Sequence, residues 1–327
     1  MSESFNASTT SEEVAAKFIN QIKGKVAIVT GTTWGGIGAE TARVIASHGA
    51  QLVIVAGRKQ SALDETIDKI KQETPDANLR SLVLDLGSLK SVKEAAAQVN
   101  GYEENIDVLI NNAAVMASPY FTTSDGFEGQ FGTNHLGPFV FTNLILPKLL
   151  ASKTGEPRVV NVSSNAHWLA PVFFADPSFS DGKTYQKWHA YGQSKTANML
   201  FTKELSNRFS SKGLTVFSLH PGYIQTNLQR HVEKELEQDM AELMKDYWGN
   251  DLTASPEFMD CLTLKTVSQG ASTTLVAAFD PSIKPQTGLF LNHAKIDLNA
   301  AKPYALDDEN ANKLWELSER MVGQQFS

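Results

Sequence analysis

The chain has 327 residues, 42% of them hydrophobic and 20% charged, which is enough apolar material for one large α/β domain or two small ones. A net charge of −7 and a pI of about 5.6 argue against nucleic acid, which needs a basic stripe, and more weakly against anionic membranes. The single cysteine, Cys261, leaves no internal disulfide framework or cysteine-based zinc cluster and fits a reducing compartment.

Residues 1–23 read as a polar N-terminal arm with a weak amphipathic helix from Glu12 to Ile22. They lack the apolar run of a signal peptide or membrane anchor, so a cytoplasmic protein is expected. Beyond the arm, short β-branched apolar runs alternate with longer segments of helical period, the mark of βαβ units around a parallel sheet. Strands are expected at 25–30, 51–56, 79–84, 107–111, 158–162, 214–219 and 288–291. Helices are expected at 36–48, 61–73, after a cap near Ser88, at 125–150 with an interruption near Pro138, and at 188–211 before Gly213. Three more are expected at 227–246, 265–279 and 307–322. The fold class is α/β, a doubly wound Rossmann sheet of about seven strands in three α/β/α layers. Residues 24–327 read as a single domain, because candidate site residues run from the first strand to the sixth. The segment 227–263, acidic but carrying Met240, Met244, Tyr247, Trp248, Phe258 and Met259, reads as an inserted substrate lid or an interface element.

Between the first strand and first main helix lies Thr30-Gly31-Thr32-Thr33-Trp34-Gly35-Gly36-Ile37-Gly38. Glycines there permit a tight turn and let helix N–H groups face a pyrophosphate. A Walker loop is not supported, since Pro177 stands where the first glycine before Gly182-Lys183-Thr184 should be. The second strand ends Val55-Ala56-Gly57-Arg58 with no acid until Asp64. NAD sites usually place an acid there for the ribose, whereas Arg58 suits a 2′-phosphate, so NADP(H) is favoured over NAD. Downstream, Tyr191-Gly192-Gln193-Ser194-Lys195 puts a phenol and an ammonium on one helical face. A fixed cation beside a phenol is expected to lower its pKa from about 10, making a proton donor and acceptor for carbonyl chemistry. The seven histidines show no metal spacing, and no metal site is expected.

Taken in order, these motifs resemble the short-chain dehydrogenase/reductase family, of the single-domain type, over about residues 23–322. The glycine turn is similar to the family's TGxxxGxG with one extra residue after Gly31. Leu84-Asp85-Leu86, Asn111-Asn112-Ala113-Ala114 and His220-Pro221-Gly222-Tyr223-Ile224-Gln225-Thr226 match later family motifs, with Ala114 where glycine is usual. The resemblance implies cofactor contacts at Gly31, Thr33, Gly36, Ile37, Gly38, Arg58, Asp85, Leu86, Asn112, Tyr191, Lys195, Ile224 and Thr226. It implies that Tyr191 is the general acid or base and that Lys195 tunes it and holds the ribose. Ser164, rather than Ser163, would hydrogen-bond the substrate oxygen, and Asn134 would hold a water in a proton relay behind Lys195.

The 26-residue stretch from Asn165 to Ala190 and the closing helix resemble the retinol dehydrogenase and WW-domain-oxidoreductase branch, which handles lipophilic alcohols, aldehydes and ketones. His167, Trp168, Phe173, Phe174, Trp188 and Tyr223 are the candidate substrate-lining residues, each alternatively a core filler. The expected activity is NADPH-dependent reduction of a bulky lipophilic carbonyl, or oxidation of the corresponding alcohol. A catalytically silent NADP sensor or scaffold and a sugar-nucleotide epimerase-like enzyme stand as alternatives. The family's habit points to a possible homodimer, which the 227–263 segment would be placed to block.

Overall fold

The structure is a computed structural model that describes residues 5–231 and 263–326. In chain order its strands are β1 (Val26–Thr30), β2 (Leu52–Gly57), β3 (Leu79–Val83), β4 (Val108–Asn111), β5 (Arg158–Val162), β6 (Thr215–Leu219), β7 (Phe290–Asn292) and β8 (Lys295–Ile296). The helices are α1 (Ser11–Lys17), α2 (Ile19–Ile22), α3 (Ile37–Ser47), α4 (Gln60–Glu73), α5 (Leu89–Asn100), α6 (Gly129–Phe131), α7 (Gly137–Leu150), α8 (Lys187–Phe209), α9 (Val267–Phe279) and α10 (Asp308–Val322).

β1 is buried along its whole length, as an unbroken apolar run at the centre of a parallel sheet should be. The sheet order is β3-β2-β1-β4-β5-β6-β7-β8, parallel throughout except for β8. Order reverses between β1 and β4, and the crevice beyond the carboxyl ends of these strands is the ligand position of such sheets. Side chains alternate across the sheet. Ile28, Ile54 and Leu109 enter one core layer with Phe139, Leu200 and Trp315, from α7, α8 and α10. Val29, Val55 and Ile110 enter the other, with Ile45 and Leu275 from α3 and α9. β8 is one strand more than the sequence suggests. It is two residues long, too short for a periodicity signal, and it folds back through His293 and Ala294, both at positive φ.

Two other departures affect the site. The expected Glu12–Ile22 helix is split at Phe18 into α1 and α2, and Val14, Ala15, Phe18 and Ile22 are buried in the second core layer. Residue 23 is therefore no packing boundary. The expected 125–150 helix begins only at Gly129 and contains one π turn, Gly132–Leu136, before α7. Pro138 takes the second position of α7, where its missing N–H is not needed. Of the expected 227–246 helix, only a 3₁₀ turn, Asn227–His231, lies within the described residues, and the rest of the expected lid lies outside them. Among the described residues no helix is long and apolar enough to cross a membrane.

Candidate active site

The turn between β1 and α3 needs its glycines. Gly31 and Gly35 sit at φ 74° and 84°, where only glycine is unstrained. A Cβ on Gly31 would lie 2.7 Å from Ala113 Cα, and one on Gly38 would lie 2.4 Å from Asn112 Nδ2. The ends of β1 and β4 thus close on each other, and Asn112 Nδ2 donates to the Thr30 carbonyl at 2.8 Å. The extra residue is absorbed between Thr33 and Gly36, whose N–H donates to the Thr33 carbonyl at 3.1 Å. Thr32 turns inward, and its carbonyl accepts from Thr66 Oγ1 at 2.7 Å.

In front of this turn lies a cleft of about 270 Å³. Eight of the expected cofactor residues line it: Gly31, Thr33, Gly36, Ile37, Arg58, Leu86, Asn112 and Thr226. Five others do not. Gly38 packs behind Asn112. The Asp85 carboxylate accepts from the Gly87 N–H at 3.0 Å, shaping its own turn. Ile224 is buried with its side chain toward Gly270. Tyr191 and Lys195 lie deeper in the protein. Arg58 is exposed at the cleft rim and has no hydrogen-bond or ion-pair partner among the described residues. A glycine turn at the N-terminus of an eleven-residue helix, faced by an unpaired guanidinium, fits a dinucleotide bearing an extra phosphate.

Every residue of the Tyr191–Lys195 pentapeptide, on α8, has a partner or a steric reason. Tyr191 is buried, with the Ser164 side chain beside its phenol. Gly192 lets α8 approach the turn after β5, since a Cβ there would lie 2.8 Å from the Ala166 carbonyl. Gln193 Oε1 accepts from Phe173 N at 2.9 Å, and its Nε2 donates to the Pro177 carbonyl at 3.1 Å. Ser194 Oγ donates to the Tyr191 carbonyl at 2.7 Å and accepts from Asn134 Nδ2 at 2.9 Å. Lys195 Nζ is buried 5.6 Å from the Tyr191 ring centroid and donates to the Val162 carbonyl at 2.9 Å. Ser163 instead donates to the Lys195 carbonyl at 2.7 Å, so of the two serines only Ser164 meets the phenol.

Asn134 sits in the π turn. Its Oδ1 accepts from Val115 N, and its Nδ2 donates to the Val115 carbonyl, both at 2.8 Å. With the Ser194 bond, its side chain ties the loop after β4 to α8.

Burial decides the protonation states here. It pushes the Tyr191 phenol above its usual range, opposed only in part by the neighbouring Ser164 side chain. It also pulls the Lys195 ammonium down to about 7. Burial thus outweighs the lowering of the phenol that the Tyr191–Lys195 spacing suggests. At neutral pH the phenol keeps its proton and can give it away.

The expected substrate residues divide. Trp188 packs with Ala117 against Tyr191, ring centroids 6.3 Å apart, and forms a wall beside the phenol. Met116, Ala166 and Leu169, which the sequence did not single out, complete that apolar cluster. His167 does not belong to such a surface. It is wholly buried between the Ser164 carbonyl, 2.7 Å from Nδ1, and the Lys302 N–H, which donates to Nε2 at 3.2 Å, and burial pulls it down to about 4. Trp168 donates its indole N–H to the Ala300 carbonyl at 2.7 Å. Phe173 packs edge-on to Phe179, and Phe174 packs on the first core layer. Tyr223 is half-buried, and its backbone pairs with Leu264.

This arrangement agrees with comparisons to known proteins. A family model described as short chain dehydrogenase matches residues 25–176 and 177–237. Retinol dehydrogenase 13 of Homo sapiens is 39% identical over 302 residues, covering 92% of this chain and 86% of that protein. Short-chain dehydrogenase TIC 32 A, chloroplastic, of Brassica napus is 37% identical, covering 97% and 94%. Among solved structures, an uncharacterised protein from Mycobacterium paratuberculosis superposes with a TM-score of 0.68 at 33% identity, covering 94% of this chain and 96% of that one.

Proposed function

The chain belongs to the short-chain dehydrogenase family, whose members bind a nicotinamide cofactor and act on alcohol or carbonyl groups, and from that premise we propose an NADPH-dependent carbonyl reductase and alcohol dehydrogenase for bulky lipophilic aldehydes, ketones or secondary alcohols. The observation that carries the reading is the buried Tyr191 phenol beside the Ser164 side chain, with Lys195 one turn along the same helix and also buried. The unpaired Arg58 at the cleft rim supports NADPH. The apolar wall of Trp188, Met116 and Leu169 supports a lipophilic substrate, as does the alcohol named in the human relative.

Gly31, Thr33, Gly36, Ile37 and Asn112 would hold the dinucleotide, with Arg58 on its 2′-phosphate. When bound, it supplies or accepts the hydride. Ser164 and the Tyr191 phenol point a carbonyl oxygen and stabilise the charge that develops on it. Tyr191, kept protonated by burial, gives its proton to that oxygen in reduction and takes it back in oxidation. Lys195, buried and drawn toward neutrality in the free protein, gains an ammonium's stability once an anion forms beside it, and so follows the phenol's proton.

The test follows NADPH and NADH absorbance with aldehydes and ketones graded in size and polarity. The reading expects NADPH-dependent turnover that rises with apolar bulk. Equal efficiency with NADH would remove the role of Arg58. Tight NADPH binding without turnover on any carbonyl would replace the enzyme with a sensor.

A further inference from the structure

Gln130 has no place in the motifs read from the sequence, yet it is wholly buried one helical turn before Asn134 and is built into the site in the same way. Where Asn134 ties Val115 to Ser194, Gln130 ties the next stretch of the same loop to the start of the same helix. Its Oε1 accepts from Ala117 N at 2.9 Å. Its Nε2 donates to the Lys187 carbonyl and to the Tyr185 hydroxyl, both at 2.8 Å. The Tyr185 hydroxyl in turn donates to the Ser118 carbonyl at 2.9 Å. Two successive amides thus stitch the loop after β4 to α8, one at Ser194 and one at Lys187, beside Trp188.

The root of the amide is fixed. The Glu128 carboxylate accepts from Gln130 N at 2.8 Å and from Phe131 N at 2.7 Å. Gly129 N donates to the Phe121 carbonyl at 2.8 Å, and a Cβ on Gly129 would strike the Phe121 ring. What the amide holds needs holding. Ala117 has φ 44°, a left-handed conformation uncommon outside glycine, and its side chain packs against Trp188 and Tyr191.

We propose that Gln130 is a positioning residue that sets the gap between the wall at Ala117 and Ser118 and the first turn of α8, and thereby the room for substrate beside the Tyr191 phenol. The inference rests on the reductase reading above. A bulky substrate touches both walls, whereas a small one needs only Ser164 and Tyr191, so loosening the gap penalises bulk. The nucleotide cleft does not include Gln130, so NADPH affinity is independent of it.

The experiment compares Gln130→Met with the wild type on one small and one bulky lipophilic carbonyl, alongside NADPH affinity by fluorescence and a thermal melt. The expected result is a tenfold or larger fall in the ratio of kcat/KM for bulky over small substrate, seen mainly as a raised KM for the bulky one. NADPH affinity should stay within twofold. Tyr185→Phe removes only one hydroxyl of the network and should shift the same ratio two- to fivefold, which decides the matter if Gln130→Met fails to fold. An unchanged ratio, with both substrates losing activity in proportion to the unfolded fraction, makes Gln130 a purely structural residue and overturns the inference. A wild type inactive on every carbonyl overturns the reductase reading itself, and this inference with it.

Discussion

At the nucleotide end of the crevice, Arg58 and Thr33 stand in solvent, and the turn is built on glycines whose Cβ atoms would collide with Asn112 and Ala113, just after β4. At the catalytic end, Tyr191, Lys195, Ser194 and Asn134 are buried, and the bonds among them bind α8 to the loop after β4 and to the end of β5. The first region presents groups that await a partner. The second has satisfied its groups in advance. The difference explains why exposure sets ligand choice at one end while burial sets proton affinity at the other. A guanidinium in water can select by charge at little cost, but a phenol and an ammonium out of water have their ionisation set by desolvation before any neighbour acts.

The largest test of this contrast is Tyr191→Phe. Removing the buried hydroxyl should lower turnover by about 10²–10⁴-fold, the usual worth of a positioned acid, while NADPH titration shows unchanged affinity. Retained turnover would move the chemistry elsewhere.

Next comes acid stability. His135, beside Asn134, is buried with its Nε2 2.7 Å from Ser318 Oγ, and burial pulls it down to about 3. Because the folded value lies below the unfolded value of about 6.5, its contribution is complete above 6.5 and is lost as pH falls toward 3. The loss should reach about 3 kcal/mol by pH 4. His135→Gln should remove its share of that limb in urea unfolding at pH 7.5 and 4, leaving the shares of His167 and His220, which burial also pulls down. An unchanged slope would show that burial at the catalytic end does not govern protonation.

Gly38→Ala probes the close approach behind the cleft. Alanine gains about 1 kcal/mol of helix propensity, but its Cβ would lie 2.4 Å from Asn112 Nδ2 and 2.5 Å from the Gly31 carbonyl. Overpacking of about 1–3 kcal/mol should win, lowering the melting temperature and weakening NADPH together. Arg58→Ala is the mildest change. It should cut the preference for NADPH over NADH about tenfold, with the NADH kcat/KM untouched, as expected for one exposed charge-assisted contact. A preference that survives would transfer phosphate selection to another group.

The sheet was legible because β1, β2, β4, β5 and β6 are short, buried runs rich in Val, Ile and Leu, and buried strands have few other ways to look. The pairing of Ser164 with Tyr191 and the glycine turn were legible because both lie in short ordered motifs. Gln130 and Gln193 were not, since an amide's role depends on which distant backbone groups reach it. The direction of the Tyr191 shift was hidden for a related reason: helical spacing tells which groups are near, but not how dry they are. His167 was misplaced because an aromatic in the loop after Ser164 looks alike whether it faces substrate or, as here, the Lys302 backbone. The burial of α1 and α2 had a signal in the spacing of Val14, Phe18 and Ile22, one helical turn apart each time.

That N-terminal packing bears on how the chain is made. α1 lies against α9, and Ser11 Oγ sits 2.8 Å from Ser268 Oγ, 257 residues along the chain. During synthesis α1 therefore cannot find its seat until α9 has emerged. At about 5–20 residues per second that interval is tens of seconds, during which the Val14 and Ile22 face lacks the α9 part of its core layer. Seating α1 on α9 is a late event of high contact order, so in pulsed exchange during refolding the amides of α1 should gain protection after those of β1 and β4.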